Sequence, residues 1–286
     1  MTVTLSESRA WCKSLARRTA RNFYFSFLTL PADQARDMCA LYAFMRVCDD
    51  LGDEESIPIV RRAEQLDEWR ASLDAALGGG APEHPVFPAL ADVVSRYSIP
   101  SECLFAVIDG VRSDLEPTQF QTFDELSEYC YHVAGAVGIC CIHVWGFHDK
   151  RAVDAAIECG LAFQLTNILR DLGDDSRAGR FYIPNEDLAR FDYTRDDIRE
   201  RVRNTHFEQL MRFEVERARE HYRRAERLFD YLERPGKPAL AAMMKIYGGL
   251  LDRIERQGYN VYQSRIRIGA PRKLFIALTS LLRYRW

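Results

Sequence analysis

Several common signatures are missing from this chain of 286 residues, and each absence excludes a class of site. None of the eight cysteines belongs to a CxxC pair, and none of the six histidines lies in an HExxH spacing, so no zinc site is indicated. The absence of GxGxxG and P-loop motifs excludes the usual nucleotide-binding loops. The N-terminus lacks the apolar core of a secretory signal. No run approaches the roughly 20 apolar residues of a membrane span, and the longest candidate is LFIALTSLL near the C-terminus.

The composition, 47% hydrophobic and 28% charged, predicts a soluble globular protein with a substantial core. Several cysteines lie inside apolar helical segments, which predicts free thiols in a reducing cytoplasm. They occupy positions 12, 39, 48, 103, 130, 140, 141 and 159.

Basic residues are concentrated near the C-terminus. Seven Arg and Lys and no acidic residue occur between positions 256 and 286, so the rest of the chain is acidic. An acidic main body argues against a nucleic-acid partner. The same segment carries large apolar side chains, among them Leu274, Phe275, Leu278, Leu282 and Trp286. It is interpreted either as a last helix packed on the core or as a peripheral contact with the inner face of an anionic membrane.

Helical periodicity is almost continuous, and strand signals are scarce. The pattern predicts helices over residues 5–19, 31–52, 58–77, 86–97, 100–114, 122–145, 149–175, 186–190, 194–232, 236–257 and 271–283. The one linker-like stretch, residues 78–88, is too short to separate domains. We therefore predict a single all-α domain over residues 1–286, a helical bundle with a central apolar cavity. Its oligomeric state is left open.

Two aspartate clusters, more than a hundred residues apart, are the most informative feature. The first, in LYAFMRVCDDLGDE, contains Asp49, Asp50 and Asp53. The second, in FQLTNILRDLGDD, has Asn167, Asp171 and Asp175 at intervals of four. Helix positions four apart share a face, so Asp49 points with Asp53, and the members of the second cluster point together.

Solvated helix ends are the simpler interpretation of these carboxylates. Both clusters, however, follow apolar helical turns, and acidic residues near a helix C-terminus oppose the helix dipole. Desolvating a charge without a partner costs several kcal/mol, and no lysine is interleaved with either cluster. A cation is the expected partner, and ligands that are all oxygen atoms suit Mg²⁺.

Two carboxylate-rich helices facing each other across an apolar bundle fit Mg²⁺-bound diphosphate beside a hydrocarbon cavity. Mg²⁺ makes diphosphate a better leaving group, and aromatic rings such as Phe23 and Tyr129 can stabilise the resulting carbocation. Arg46, one turn before the first cluster, and Arg180 with Tyr182, after the second, are candidate phosphate contacts.

At this point the chain resembles the squalene/phytoene synthase family, the head-to-head prenyl transferases. The resemblance extends from about Arg21 to Lys273, and bacterial presqualene diphosphate and phytoene synthases look most similar. The segments that carry it are NFYFSFLTLP (22–31), ALYAFMRVCDDLGDE (40–54), EYCYHVAGAVG (128–138), QLTNILRDLGDDSRAGRFYIP (164–184) and KIYGGLLDRIERQGYNVYQSRIRI (245–268). It implies an all-α fold of the isoprenoid-synthase type.

The resemblance also implies roles for individual residues. Asp49, Asp50 and Asp53 would hold Mg²⁺ on one diphosphate, and the second cluster would hold further metal. The diphosphate contacts would be Arg46, Arg180, Tyr247 and Arg265; Tyr129 would lie beside the reacting carbons, and Val133 and Gly138 would line the prenyl channel.

The chain departs from the family where relatives often carry Ser or His-Ser before the first aromatic run. It has Thr19, Ala20 and Asn22 there, with Asn22 as the remaining candidate donor.

The implied reaction joins two farnesyl diphosphates into presqualene diphosphate, and then forms squalene or hydroxysqualene. Phytoene from two geranylgeranyl diphosphates is the alternative, and a non-catalytic isoprenoid-binding or assembly protein is an alternative of another class. NADPH would be needed only for a squalene product. Any membrane contact would be peripheral.

Overall fold

The computed structural model describes residues 3–20, 23–116, 119–263 and 265–284, and within these ranges it contains no β-strand. Fifteen α-helices are accompanied by a π-helical segment at Tyr131–Gly135 and a 3₁₀ turn at Arg234–Gly236. The α-helices are α1 (Leu5–Thr19), α2 (Phe23–Phe27), α3 (Ala32–Asp53), α4 (Ile59–Leu77), α5 (Phe87–Tyr97), α6 (Ser101–Ser113), α7 (Phe123–Cys130), α8 (Ala136–Trp145), α9 (Ala152–Arg177), α10 (Asn185–Arg190), α11 (Arg195–Glu200), α12 (Thr205–Ala225), α13 (Leu228–Tyr231), α14 (Lys237–Arg256) and α15 (Ala270–Tyr284).

Local sequence explains where most of these helices begin. Thr4 and Glu7 form a reciprocal capping box at α1. Pro31, Pro58 and Pro100 immediately precede α3, α4 and α6, because proline disfavours helical geometry in the residue before it. The predicted all-α class is confirmed.

The structure differs from the predicted helices in three places. Residues 194–232 form three helices, because Arg201 adopts a left-handed conformation (φ 58°) and the Asn204 side chain caps a new helix. Residues 122–145 are interrupted by the π-helical segment. The short helix α2 was missed because five apolar and polar residues show too little periodicity.

Helix α9 forms the centre of the bundle. It contacts α7, α8, α11, α12, α13, α14 and the π-helical segment. The prediction that no segment has the character of a membrane span was wrong for α9, which is long and apolar enough by composition. In the described structure, 61% of its apolar window is buried among the other helices, as expected for a core helix.

Small residues allow α9 to approach its neighbours closely. A Cβ atom on Gly160 would lie 2.5 Å from the carbonyl oxygen of Ala134, and one on Gly138 would lie 2.7 Å from that of Ala156. These contacts fix the position of α9 beside α8 and the π-helical segment.

Candidate functional site

A cavity of about 450 Å³ lies between α3, α8, α9 and α14. Its lining includes thirteen of the predicted site residues: Phe23, Arg46, Asp49, Asp53, Tyr129, Val133, Gly138, Asn167, Asp171, Asp175, Arg180, Tyr182 and Tyr247. Asp50 and Arg265 contact lining residues without lining the cavity themselves. Asn22 lies outside the described residues.

The polar residues occupy the end of the cavity near the C-termini of α3 and α9. Asp49 and Asp53 come from the last turns of α3, and Asn167, Asp171 and Asp175 from the last turns of α9. Apolar side chains line the earlier turns, such as Met38 and Leu41 on α3. Along a helix, Met38 lies about 16 Å from Asp49. The spacing argument therefore predicted which carboxylates share a face.

Asp50 takes a different position from Asp49. One residue further along α3, it turns about 100° away, and its carboxylate accepts a hydrogen bond from Arg46. Arg180 bridges the two motifs, because its Nη1 donates to Asp53 Oδ1 at 3.3 Å.

Asp171 is paired with two arginines. Nε of Arg265 lies 2.9 Å from Oδ1 and Nη2 lies 2.8 Å from Oδ2, and Arg170 makes a second pair of bonds to the same carboxylate. Burial acts to raise the pKa of Asp171, but the two guanidinium groups outweigh it and lower the pKa.

Asp49 and Asp175 lack such compensation. Burial among protein atoms raises the pKa of Asp49 to about 7 against the opposing effect of Arg46, and the negative charges of Asp53 and Asp50 act in the same direction as burial. Asp49 is still accessible to solvent, and it lines the cavity. Burial also raises the pKa of Asp175 to about 7 against the opposing effect of Arg180. A cation between these groups would relieve both penalties.

Unused polar atoms point to the same conclusion. Oδ1 of Asn167 is buried without a hydrogen-bond partner, as are the Nε groups of Arg46 and Arg180. An amide oxygen is an acceptor suited to a metal ion, whereas guanidinium N–H groups suit an anion. The site therefore offers ligands for a cation and donors for phosphate.

The arrangement of the carboxylates suits Mg²⁺, which takes part of its coordination from water and phosphate, better than it suits a metal ion whose ligands all come from the protein. Within the ranges that the structure describes, no three His, Cys, Asp or Glu side chains converge on one point. Mg²⁺ is commonly bound through one or two carboxylates together with waters and substrate phosphates. The residues that could hold it are Asp49, Asp53, Asn167, Asp171 and Asp175.

Sequence reasoning missed Asp114. It follows α6 and accepts hydrogen bonds from Tyr129 Oη at 2.9 Å and from Tyr182 Oη at 3.0 Å. Burial raises the pKa of Asp114, and burial together with the charge of Asp114 raises that of Tyr129 well above its usual value. Tyr129 and Tyr182 lie 15 and 68 positions from Asp114, so no sequence spacing connects the three residues and only the fold could identify this group.

Aromatic rings form the wall between the polar and apolar ends. Tyr247 stacks on Phe163 with ring centroids 4.6 Å apart and also contacts Phe23. Tyr129 stacks on Tyr182 at 5.3 Å. These faces provide negative quadrupoles beside the polar end.

Comparisons with known proteins agree with this geometry. A profile of the squalene/phytoene synthase family matches residues 16–272. The chain is 33% identical to 15-cis-phytoene synthase of Synechococcus elongatus over 292 aligned positions, covering 98% of this chain and 94% of the relative.

Two solved structures give the same result. A dehydrosqualene synthase in complex with a ligand superposes with a TM-score of 0.88 at 29% identity, covering 98% of both chains. Squalene synthase HpnC from Alicyclobacillus acidocaldarius superposes with a TM-score of 0.83 at 29% identity, covering 90% of this chain and 96% of that one. The chain therefore belongs to the squalene/phytoene synthase family, whose reaction is the head-to-head condensation of prenyl diphosphates.

Proposed function

We propose that this chain joins two farnesyl diphosphates head to head, forming presqualene diphosphate and then squalene or hydroxysqualene. One observation carries the proposal: two aspartate-bearing helices and two arginines with unused N–H donors meet at the polar end of one apolar cavity. The apolar end suits prenyl chains, and the polar end suits diphosphate.

In this proposal Asp49 and Asp53 on α3, and Asn167, Asp171 and Asp175 on α9, hold Mg²⁺. When bound, Mg²⁺ would neutralise the diphosphate and make it a better leaving group. Asp50 would orient Arg46 instead of binding metal, since Asp50 does not line the cavity and its carboxylate pairs with that guanidinium.

Arg46, Arg180 and Arg265 would bind the diphosphate, with Tyr247 beside it. In this structure Arg265 donates two hydrogen bonds to Asp171. A phosphate oxygen binds a guanidinium group as strongly as a carboxylate does, so a bound diphosphate could take over this arginine.

The reaction begins when the allylic C–O bond breaks and its electron pair leaves with the diphosphate. The C2–C3 double bond of the second substrate then attacks the cation, and loss of a proton closes a cyclopropane ring. Neutral Tyr129 would accept that proton on its oxygen while its own proton passes to Asp114, 2.9 Å away. Tyr247 and Phe163 would stabilise the cation through their ring faces.

Bulky side chains at the apolar end support the C15 substrate. Phe27 and Trp145 both line the cavity, and their volume reduces the length of prenyl chain that the cavity can hold. The solved relatives described above are dehydrosqualene and squalene synthases.

A second candidate is phytoene synthesis from two geranylgeranyl diphosphates. It is favoured by the sequence relatives, since the matched proteins from Synechococcus elongatus and Synechocystis are named phytoene synthases at 33% identity.

Incubation of the purified protein with Mg²⁺ and each diphosphate, with and without NADPH, tests these alternatives by mass spectrometry. A C30 product from farnesyl diphosphate supports the proposal, and dependence on NADPH identifies squalene as the end point. A C40 product alone would establish the second candidate. A folded protein that gives neither product would favour a non-catalytic isoprenoid-binding protein.

A Trp145→Leu variant tests whether the apolar end sets chain length. Enlarging that end should raise the ratio of C20 to C15 turnover by roughly 10-fold or more, because a few methylene groups change binding by about 1–3 kcal/mol each. Trp69→Leu is the matched control, since Trp69 is equally buried but does not line the cavity. An equal ratio in both variants would contradict this assignment.

A further inference from the structure

Helix α15 exposes four of its large apolar side chains to solvent, while small side chains and the partly buried Ile276 face the protein. Ala277 and Ser280 are buried against the bundle, and the Ser280 hydroxyl has no hydrogen-bond partner there. Four apolar residues, which we call the outer face, are exposed: Leu274 (45%), Phe275 (66%), Leu278 (53%) and Leu282 (62%).

Helical geometry makes the outer face continuous. At 100° per residue these four positions fall within an arc of about 100°, Ser280 lies on the opposite side, and Ala277 lies between Ser280 and the outer face. A helix that only packs on a soluble protein shows the reverse arrangement. A continuous exposed apolar surface indicates a binding partner.

The positive charges beside the outer face indicate that its partner is anionic. Arg272 and Arg283 are exposed on α15 beside the outer face, and no acidic residue follows Glu255 in the sequence. The exposed Ile59 and Val60 on α4 differ, because they follow the acidic Asp53-Glu54-Glu55 segment. An apolar helical face bordered by arginines matches a bilayer whose headgroups are anionic.

The position of α15 supports the same partner. It packs on α14 and α2, which contribute Met243 and Phe27 to the cavity wall. The outer face therefore lies one helix away from the cavity. This point rests on the proposed function, whose hydrocarbon products are insoluble in water and have to enter a lipid phase.

We propose that the outer face, with Arg272 and Arg283, docks on the surface of an anionic lipid bilayer, with α15 lying in the plane of the interface. The docked helix places the substrate cavity beside the membrane without any segment crossing it.

Vesicle co-sedimentation of the full chain tests the proposal. Binding to vesicles of phosphatidylglycerol and phosphatidylcholine should be at least about 10-fold tighter than to phosphatidylcholine alone. Phe275→Gln/Leu278→Gln should weaken binding by about 10-fold or more. Ile59→Gln/Val60→Gln, which removes equally exposed apolar side chains from α4, is the matched control and should bind like the wild type.

A second pair of variants tests the contribution of the arginines beside the outer face. Arg272→Gln/Arg283→Gln should weaken binding to the anionic vesicles and reduce its dependence on salt. Arg61→Gln/Arg199→Gln removes two exposed arginines elsewhere and should have no such effect.

A fluorescent label on the outer face reports directly whether that face enters the bilayer. Because all eight native cysteines are buried, a solvatochromic maleimide should react selectively with a Leu278→Cys variant. Its emission should shift to shorter wavelength with anionic vesicles, whereas label on Val60→Cys should not respond.

Three results would overturn the proposal: no vesicle binding by the wild type, wild-type binding by Phe275→Gln/Leu278→Gln, or unchanged emission from label at position 278. A dimer in sedimentation velocity that Phe275→Gln/Leu278→Gln makes monomeric, without vesicle binding, would make the outer face a contact between two copies. None of these measurements uses prenyl transfer, so they are independent of the proposed reaction.

Discussion

Carboxylates of the same motif have different electrostatic environments. Asp171 is neutralised by Arg170 and Arg265, whereas Asp49 and Asp175 are desolvated without equal compensation. The four-residue spacing predicted that these groups share a face. It could not predict their pairing, because Arg265 reaches Asp171 from 94 positions away.

Asp49→Asn should abolish function without destabilising the fold. We expect the rate of prenyl transfer to fall on the order of 10²–10³-fold or more, since the Asp49 carboxylate would hold the Mg²⁺ that stabilises the charge of the leaving diphosphate. In the metal-free protein the pKa of Asp49 is raised from 3.8 to about 7. Ionisation therefore destabilises the native state as pH rises through that range. The Tm advantage of the variant should grow from about pH 4 to about pH 7.

Asp174→Asn is the control within the same motifs. Asp174 is exposed and paired with Arg177, so this variant should keep near-normal turnover. Normal product formation by Asp49→Asn would refute the metal assignment.

Asp114→Asn should lower kcat more than it raises KM. The carboxylate holds both Tyr129 and Tyr182, so its loss misplaces the proposed proton path, whereas Arg46, Arg180 and Arg265 remain to bind the diphosphate. A decrease of roughly 10²-fold in single-turnover rate is expected. Asp109→Asn, on the exposed side of α6 and paired with Arg70, should be close to wild type. Equal rates for the two variants would exclude a role for Asp114.

Among the secondary-structure elements, capping residues and prolines located the helix ends more accurately than apolar periodicity did. Proline before α3, α4 and α6 allowed their beginnings to be predicted within one residue. The helix predicted over 194–232 was wrong because apolar periodicity continues across the left-handed Arg201. The π-helical segment has no periodic signature of its own, and its packing against α9 is tertiary.

Gly160→Ala should destabilise the contact between α9 and the π-helical segment. The new Cβ would lie 2.5 Å from the Ala134 carbonyl oxygen, a backbone atom that cannot rotate away. We expect a loss of roughly 1–3 kcal/mol in the free energy of unfolding, measured by urea denaturation.

Gly248→Ala on α14 is the matched control, because nothing lies within 4 Å of its Cβ position. It should stabilise the protein by roughly 0.5–1 kcal/mol through helix propensity. Destabilisation of similar size in both variants would show that the effect is not steric.

At the scale of the whole molecule, the eight cysteines are all free and buried. Apolar surroundings raise the pKa of Cys12 to about 12 and that of Cys39 to about 11. The sequence predicted free thiols, because the cysteines occur within apolar helices and form no paired motif.

Titration with a thiol reagent should therefore distinguish native from unfolded protein. At pH 8 we expect fewer than about one rapidly reacting thiol in the native state, since reaction needs an accessible thiolate. All eight should react in guanidinium chloride. Rapid reaction of several thiols in the native protein would contradict this packing.

The sequence by itself determined the helical class, the positions of most helices and the two aspartate motifs. These depend on local periodicity, capping and spacing, which act within a few turns of one helix. Long-range packing, by contrast, places Asp114 against two tyrosines, brings Arg265 to Asp171, and leaves four large apolar side chains of α15 exposed. Each of those depends on which distant surfaces pack together, and burial and electrostatic pairing are set by that packing rather than by neighbours in the chain.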